Sequence, residues 1–240
     1  KSVERSELDR LNFFDRSTSD AYFGIRILAQ AMTVSLTMGT SNCTGFQVGK
    51  WVLSAQHCYK SQAKLSCRIK NQLYPSEIPC RLFYQHPEHD LMVLELPFDT
   101  DSEIRELAGN FYIEQAKVRL VSNHASYKRC GRKPEYLFLL STKSFHPYWL
   151  STVSVPSRIV GVGAVQGLQY SAFTRGMSGG PYATFCDGYE GNKYTLYIDL
   201  HGIHHTSVES QSELVIKKLF SSAHRIPSEV KEDIESWVTP

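Results

Sequence analysis

Apolar residues along this chain fall in short clusters rather than in long helical stripes. MTVSLTM (32–38), CTGFQVGKWVLSA (43–55), DLMVLELP (90–97), AKVRLVS (116–122), EYLFLLS (135–141), VSVPSRIVGVGAV (153–165) and KYTLYIDLHGIHH (193–205) are rich in β-branched and aromatic residues. Clusters of Gly, Pro, Asn and Asp separate many of them, so the segments read as strands. Helical periodicity is confined to the chain ends. SELVIKKLFSSAH (212–224) carries apolar residues at 214, 215, 216, 219 and 220. PSEVKEDIESWV (227–238) puts Val230, Ile234, Trp237 and Val238 on one face after a Pro-Ser start. Many short strands followed by a helical segment predict an all-β fold of two packed antiparallel β-barrels. The seam between them is expected between Phe98 and Gln115. That gives an N-terminal barrel over 1–105, a C-terminal barrel over 106–210 and a helical extension over 211–240.

The 240 residues suffice for one large core or two smaller adjacent ones. No apolar run reaches the roughly 18 residues that a membrane-crossing helix needs. A formal net charge of +2 is too small to imply a nucleic-acid partner by itself. The six cysteines are Cys43, Cys58, Cys67, Cys80, Cys130 and Cys186. Their density is low for a disulfide scaffold and none forms a Cys-x-x-Cys metal pair, so reduced, structural thiols are expected.

The chemistry gathers at three places. TRGMSGGPY (174–182) sets Ser178 among glycines. A serine hydroxyl is a poor nucleophile near neutral pH. It needs a general base within hydrogen-bond reach, and the base needs an acid that holds its tautomer. His57, in WVLSAQHCYK, directly follows an apolar strand, and Asp90, in HPEHDLMVLEL, directly precedes one. Glu88, Glu95 and Asp99 are less well placed, because Asp90 alone heads its strand. The N–H groups of Gly176 and Ser178 are the expected oxyanion donors, glycine at 176 being free to turn its N–H inward. Taken singly, each signal has a bland reading: a glycine-rich turn, a packed core histidine, a turn aspartate. Their order along the chain, His then Asp then Ser, is what makes the set specific.

Those motifs, CTGFQVGKWVLSAQHC, HDLMVLELP and GMSGGP, resemble the chymotrypsin-like proteases over residues 30 to 210. The resemblance implies a serine endopeptidase with His57, Asp90 and Ser178 as its catalytic residues and no cofactor or metal. Two subfamilies compete. In secreted trypsin-like enzymes cysteines flank the catalytic histidine, as Cys43 and Cys58 do. However, the chain begins KSVERS without a hydrophobic activation terminus, Met177 replaces the aspartate that would receive such a terminus, and the other characteristic cysteine pairs are not matched.

The second subfamily is the viral 3C-like group, whose mark is a histidine in a Gly-hydrophobic-His context on the strand after the nucleophile. DLHGIHHTS supplies Gly202, Ile203 and His204. By this resemblance His204 lines the pocket that recognises glutamine, or glutamate, before the scissile bond, with His205 beside it. A serine nucleophile is similar to the torovirus-like nidovirus main proteases, and the DLMVLELP segment to potyvirus-type enzymes. Either Phe173 stacks on His204, or a one-residue deletion brings Thr174 into the pocket. The residues themselves agree: a neutral imidazole offers one donor to a neutral carboxamide. The bland alternative is that His201, His204 and His205 form a histidine-rich strand end. This reading makes the substrate a viral polyprotein and the location host cytoplasm; the trypsin-like alternative would be secreted. The cluster YKRCGRK (127–133) adds a different class, weak RNA binding through Lys128, Arg129, Arg132 and Lys133, against the bland reading of a solvated loop.

Overall fold

Two curled β-sheets, strapped together by a short C-terminal helix, carry most of the buried side chains among the described residues. The computed structural model describes residues 19–59, 67–71, 73–74, 76–86, 88, 90–121, 136–141, 156–161, 164–166, 178–204, 217–219 and 226–236. Helix α1 (Ser19–Met32) opens this region and leads directly into the first sheet. That sheet comprises β1 (Thr33–Met38), β2 (Ser41–Val48), β3 (Trp51–Ser54), β4 (Cys67–Lys70), β5 (Ile78–Pro79), β6 (Arg81–His86) and β7 (Leu91–Glu95). Its strand order is β5-β4-β1-β2-β3-β7-β6. The two edge strands are consecutive in the chain, so the sheet curls until its edges converge at Cys80. Val34, Leu36, Val52 and Leu94 are buried on one face of it, and Phe46, Leu53, Leu91 and Val93 on the other.

Helix α2 (Asp101–Asn110) lies in the connection to the second sheet. That sheet holds β8 (Gln115–Leu120), β9 (Tyr136–Leu139), β10 (Pro156–Gly161), β11 (Ala164–Gln166), β12 (Pro181–Glu190), β13 (Lys193–His204) and β14 (Lys217–Leu219), followed in the chain by helix α3 (Ser228–Ile234). The order is β11-β10-β9-β12-β13-β14, with β8 pairing β13 as well. The long β12–β13 hairpin is its spine, with a register shift between Tyr182 and Ala183. Arg119 on β8 reaches across to Asp199 on β13 with two hydrogen bonds of 2.6 and 2.7 Å, and its guanidinium covers the Tyr197 ring.

The all-β, chymotrypsin-like architecture agrees with the strand pattern. CTGFQVGKWVLSA resolves into two strands joined at Gly49, whose φ of +62° suits glycine. Four expectations need correction. Helix is not confined to the ends: α1 and α2 are extra, and Ile25, Leu28, Ala29 and Met32 are the buried i, i+3, i+4, i+7 stripe of α1. The helical reading of 212–224 fails at Lys217–Leu219, because pairing with Gly202–His204 takes up that backbone as a strand; the rest of the segment lies outside the described residues. Pairing is not wholly antiparallel, since β8 runs parallel to β13. Far apart in the chain, these two strands need no tight turn between them. Finally, the described cysteines are bonded rather than reduced. Cys43–Cys58 and Cys67–Cys80 are disulfides with Cα–Cα distances of 6.4 and 5.4 Å, well within bridging range. Cys186 is disulfide-bonded as well.

Helix α3 touches both halves. The Trp51 indole on β3 donates to Asp233 at 2.9 Å, and the backbone N–H of Leu120 at the end of β8 donates to Glu235 at 2.9 Å. Val230 and Ile234 are buried beneath it.

Candidate active site

Antiparallel pairing of β3 with β7 brings the first two candidate residues together. Ser54, the last residue of β3, faces Met92 near the start of β7. His57 lies just beyond the one strand and Asp90 just before the other, so both emerge at the same end of the sheet. A 3₁₀ turn over Gln56–Cys58 carries His57. Asp90 takes a left-handed φ of +52°, and its carbonyl accepts from the Gln56 N–H at 3.1 Å. The Asp90 carboxylate therefore grips the histidine twice, accepting from its backbone N–H at 2.7 Å and meeting its Nδ1 at 2.8 Å. The acid side chain is 6% exposed and the imidazole 40% exposed. An aspartate shielded in this way holds a proton on Nδ1 and leaves Nε2 as the ring's basic atom.

Ser178 arrives from the other sheet. It lies three residues before β12, and its carbonyl accepts from the Thr44 N–H of β2 at 2.8 Å. The turn continues through Gly179, with φ +92°, where a Cβ would collide with Ser54 Oγ and the Thr44 carbonyl. Ala55, two residues before His57, also borders that space. The serine's turn is thus packed against the end of β3 from which His57 projects.

A trypsin family model matches residues 25–107, the stretch from α1 to α2 that carries both His57 and Asp90. Over that stretch the chain is similar to the trypsin family of serine proteases. Among solved structures, a human pathogenic astrovirus serine protease is similar at 13% identity over 75% of this chain and 85% of that one, with a TM-score of 0.45. The Rv3671c protease in an inactive form is similar at 10% identity over 75% and 91%, with a TM-score of 0.44. No curated protein matches the chain in sequence.

The Cys43–Cys58 disulfide brackets the site. Cys43 precedes Thr44, which holds the Ser178 carbonyl, and Cys58 follows His57. Below Ser178 the two sheet neighbours of the turn converge on His204. The Gly179 N–H donates to the His204 carbonyl and the His204 N–H donates to the Gly180 carbonyl, both at 2.8 Å. His204 is fully buried, and its Nδ1 lies 2.6 Å from the Tyr182 hydroxyl. Burial pushes the Tyr182 phenol well above its ordinary pKa, so it keeps its proton. Phenol to imidazole is the bond in which that proton finds an acceptor. His204 Nδ1 is then the acceptor and its own proton sits on Nε2. His201 pairs instead with Thr184, at 2.8 Å from Nε2, which separates it from His204 in role.

Gly176, Phe173, Thr174 and His205, and the basic cluster 127–133, lie outside the described residues. Sequence reasoning missed Tyr182, Ser54 and Thr44. Tyr182 directly follows GGP and carried a visible signal, but its partner depends on the register shift in β12–β13. Ser54 and Thr44 look like ordinary strand residues until the two sheets meet.

Proposed function

We propose that the protein is a serine endopeptidase in which Ser178 is the nucleophile, His57 the general base and Asp90 the residue that orients it. The observation that carries the reading is the double grip of Asp90 on His57, with the Ser178 turn packed beside the same strand end. The Ser178 hydroxyl gives its proton to His57 Nε2 as its oxygen bonds to the scissile carbonyl carbon. The N–H groups of Ser178 and Gly176 receive the oxyanion. His57 then protonates the leaving amine, the C–N bond breaks and an ester remains on Ser178. Water, deprotonated by the same imidazole, releases the carboxylic acid product and restores the hydroxyl. The chemistry requires no cofactor or metal.

The preferred substrate residue before the cleaved bond is glutamine, by way of His204. Tyr182 holds the imidazole neutral with its proton on Nε2, a donor suited to a carboxamide oxygen. A viral polyprotein containing such sites is the substrate this specificity suggests. The disulfides favour a second reading of location: bonded cysteines persist in oxidising compartments, so a secreted or luminal enzyme fits them better than host cytoplasm.

The test is turnover of matched peptides with Gln, Glu, Arg or Leu before the bond, using parent, Ser178→Ala and His204→Leu proteins. Ser178→Ala is expected to lower turnover by about a million-fold, and His204→Leu to erase most of the glutamine preference. Parent-level activity in Ser178→Ala would exclude the nucleophile. A parent that prefers Arg would sink the glutamine reading, and a glutamine preference surviving His204→Leu would move recognition elsewhere.

A further inference from the structure

We propose that Ser54 is a positioning residue for the nucleophile, its hydroxyl fixing the peptide from which Ser178 hangs; this rests on the serine-protease reading above. Ser54 is fully buried, and its Oγ donates to the Thr44 carbonyl at 2.7 Å. The Thr44 N–H donates in turn to the Ser178 carbonyl at 2.8 Å. In an antiparallel strand the N–H and C=O of one residue point to the same side. For Thr44 that side faces β3, but the β2–β3 ladder ends at Phe46 and Leu53. Beyond the last ladder pair, the acceptor of Thr44 is met by a side chain of β3 and its donor by the other sheet.

One buried hydroxyl therefore replaces a ladder bond at the point where the sheets join. It belongs to the strand that ends three residues before His57, so general base and nucleophile are referenced to the same backbone. Gly179 lacks a side chain where Ser54 Oγ and the Thr44 carbonyl stand, so the turn closes directly onto this pair. Without the hydroxyl, the buried Thr44 carbonyl loses this donor. The Thr44 peptide then tilts, and with it the Ser178 carbonyl. The distance from Ser178 Oγ to His57 changes, whereas the Tyr182–His204 pair keeps its own bond.

The experiment measures labelling of Ser178 by a fluorophosphonate, and kcat and KM on a glutamine peptide, for parent, Ser54→Ala, Ser54→Thr and Ser54→Cys proteins. Ser54→Ala should slow labelling and kcat by about ten- to a hundred-fold, the scale of a misplaced reacting group, with KM little changed. Ser54→Thr, which keeps the hydroxyl, should return both toward parent values. Ser54→Cys keeps the shape with a weaker donor and serves if the alanine variant does not fold. A folded alanine or cysteine variant that labels at the parent rate overturns the proposal, as does a loss confined to KM or one that threonine fails to restore. A parent that is never labelled on Ser178 refutes instead the serine-protease reading on which the proposal rests.

Discussion

The disulfide between Cys43 and Cys58 joins the two pieces of backbone on which the site depends. Cys43 lies beside Thr44, the anchor of the Ser178 carbonyl, and Cys58 beside His57. Both sulfurs are buried. The bridge closes a loop between residues separated by 15 positions, a span for which chain entropy gives roughly 3 kcal/mol of stabilisation. The Cys43→Ala/Cys58→Ala protein should be less stable by about that amount in urea unfolding and should lose activity well below its unfolding midpoint. Alkylation of unreduced, denatured protein should leave Cys43, Cys58, Cys67, Cys80 and Cys186 unlabelled. Labelling of all of them in freshly purified protein would contradict the structure.

Asp90 touches His57 through two bonds, whereas Glu88 is exposed. Asp90→Asn should therefore lower kcat by about ten-thousand-fold through the wrong imidazole tautomer, and Glu88→Gln should change it little. Reversed magnitudes would mean that the acid has been misassigned.

Tyr182→Phe removes the hydroxyl that selects the tautomer of His204 while keeping the ring in its fully buried place. The expected result is a drop of roughly tenfold in the ratio of glutamine to leucine turnover efficiency, the worth of about one hydrogen bond. Labelling of Ser178 by a small phosphonate should be nearly unchanged. An unaltered ratio would remove Tyr182 from substrate selection.

Glu95 provides a pH test far from the site. Burial works against its charge, but hydrogen bonds and the positive charges of Lys50 and Arg81 outweigh it and hold the carboxyl below its ordinary pKa. A carboxylate depressed in the folded state stabilises above its unfolded pKa of about 4.3 and loses that contribution as pH falls through the folded value. Glu95→Gln should therefore be less stable than the parent at pH 7, with the two converging as pH drops below about 4. A gap in urea midpoint that stays constant from pH 7 to about 3 would assign the effect to something other than charge.

His57, Asp90 and the strands bearing them were legible in the sequence because they are local. An apolar run ends before the histidine, another begins after the aspartate, and antiparallel pairing of neighbouring strands is enough to bring them together. The motif around Ser178 was equally plain, as was the short helix near the C-terminus. Other features depended on distant partners. Lys217–Leu219 follow a helical pattern yet form a strand, because the edge of β13 offers hydrogen bonds that outweigh local propensity. The cysteines gave no unique pairing, since bonding depends on which Cβ atoms the curled sheet brings within reach. Likewise, no pattern in the chain announced that Ser54 would reach the Thr44 carbonyl, or Tyr182 the ring of His204. By itself the sequence determined which groups are available for the chemistry and which strand ends present them. Only the tertiary structure decided which buried polar atoms meet, because a hydrogen bond over a few ångströms depends on register and sheet curvature, which are settled by packing across the whole chain.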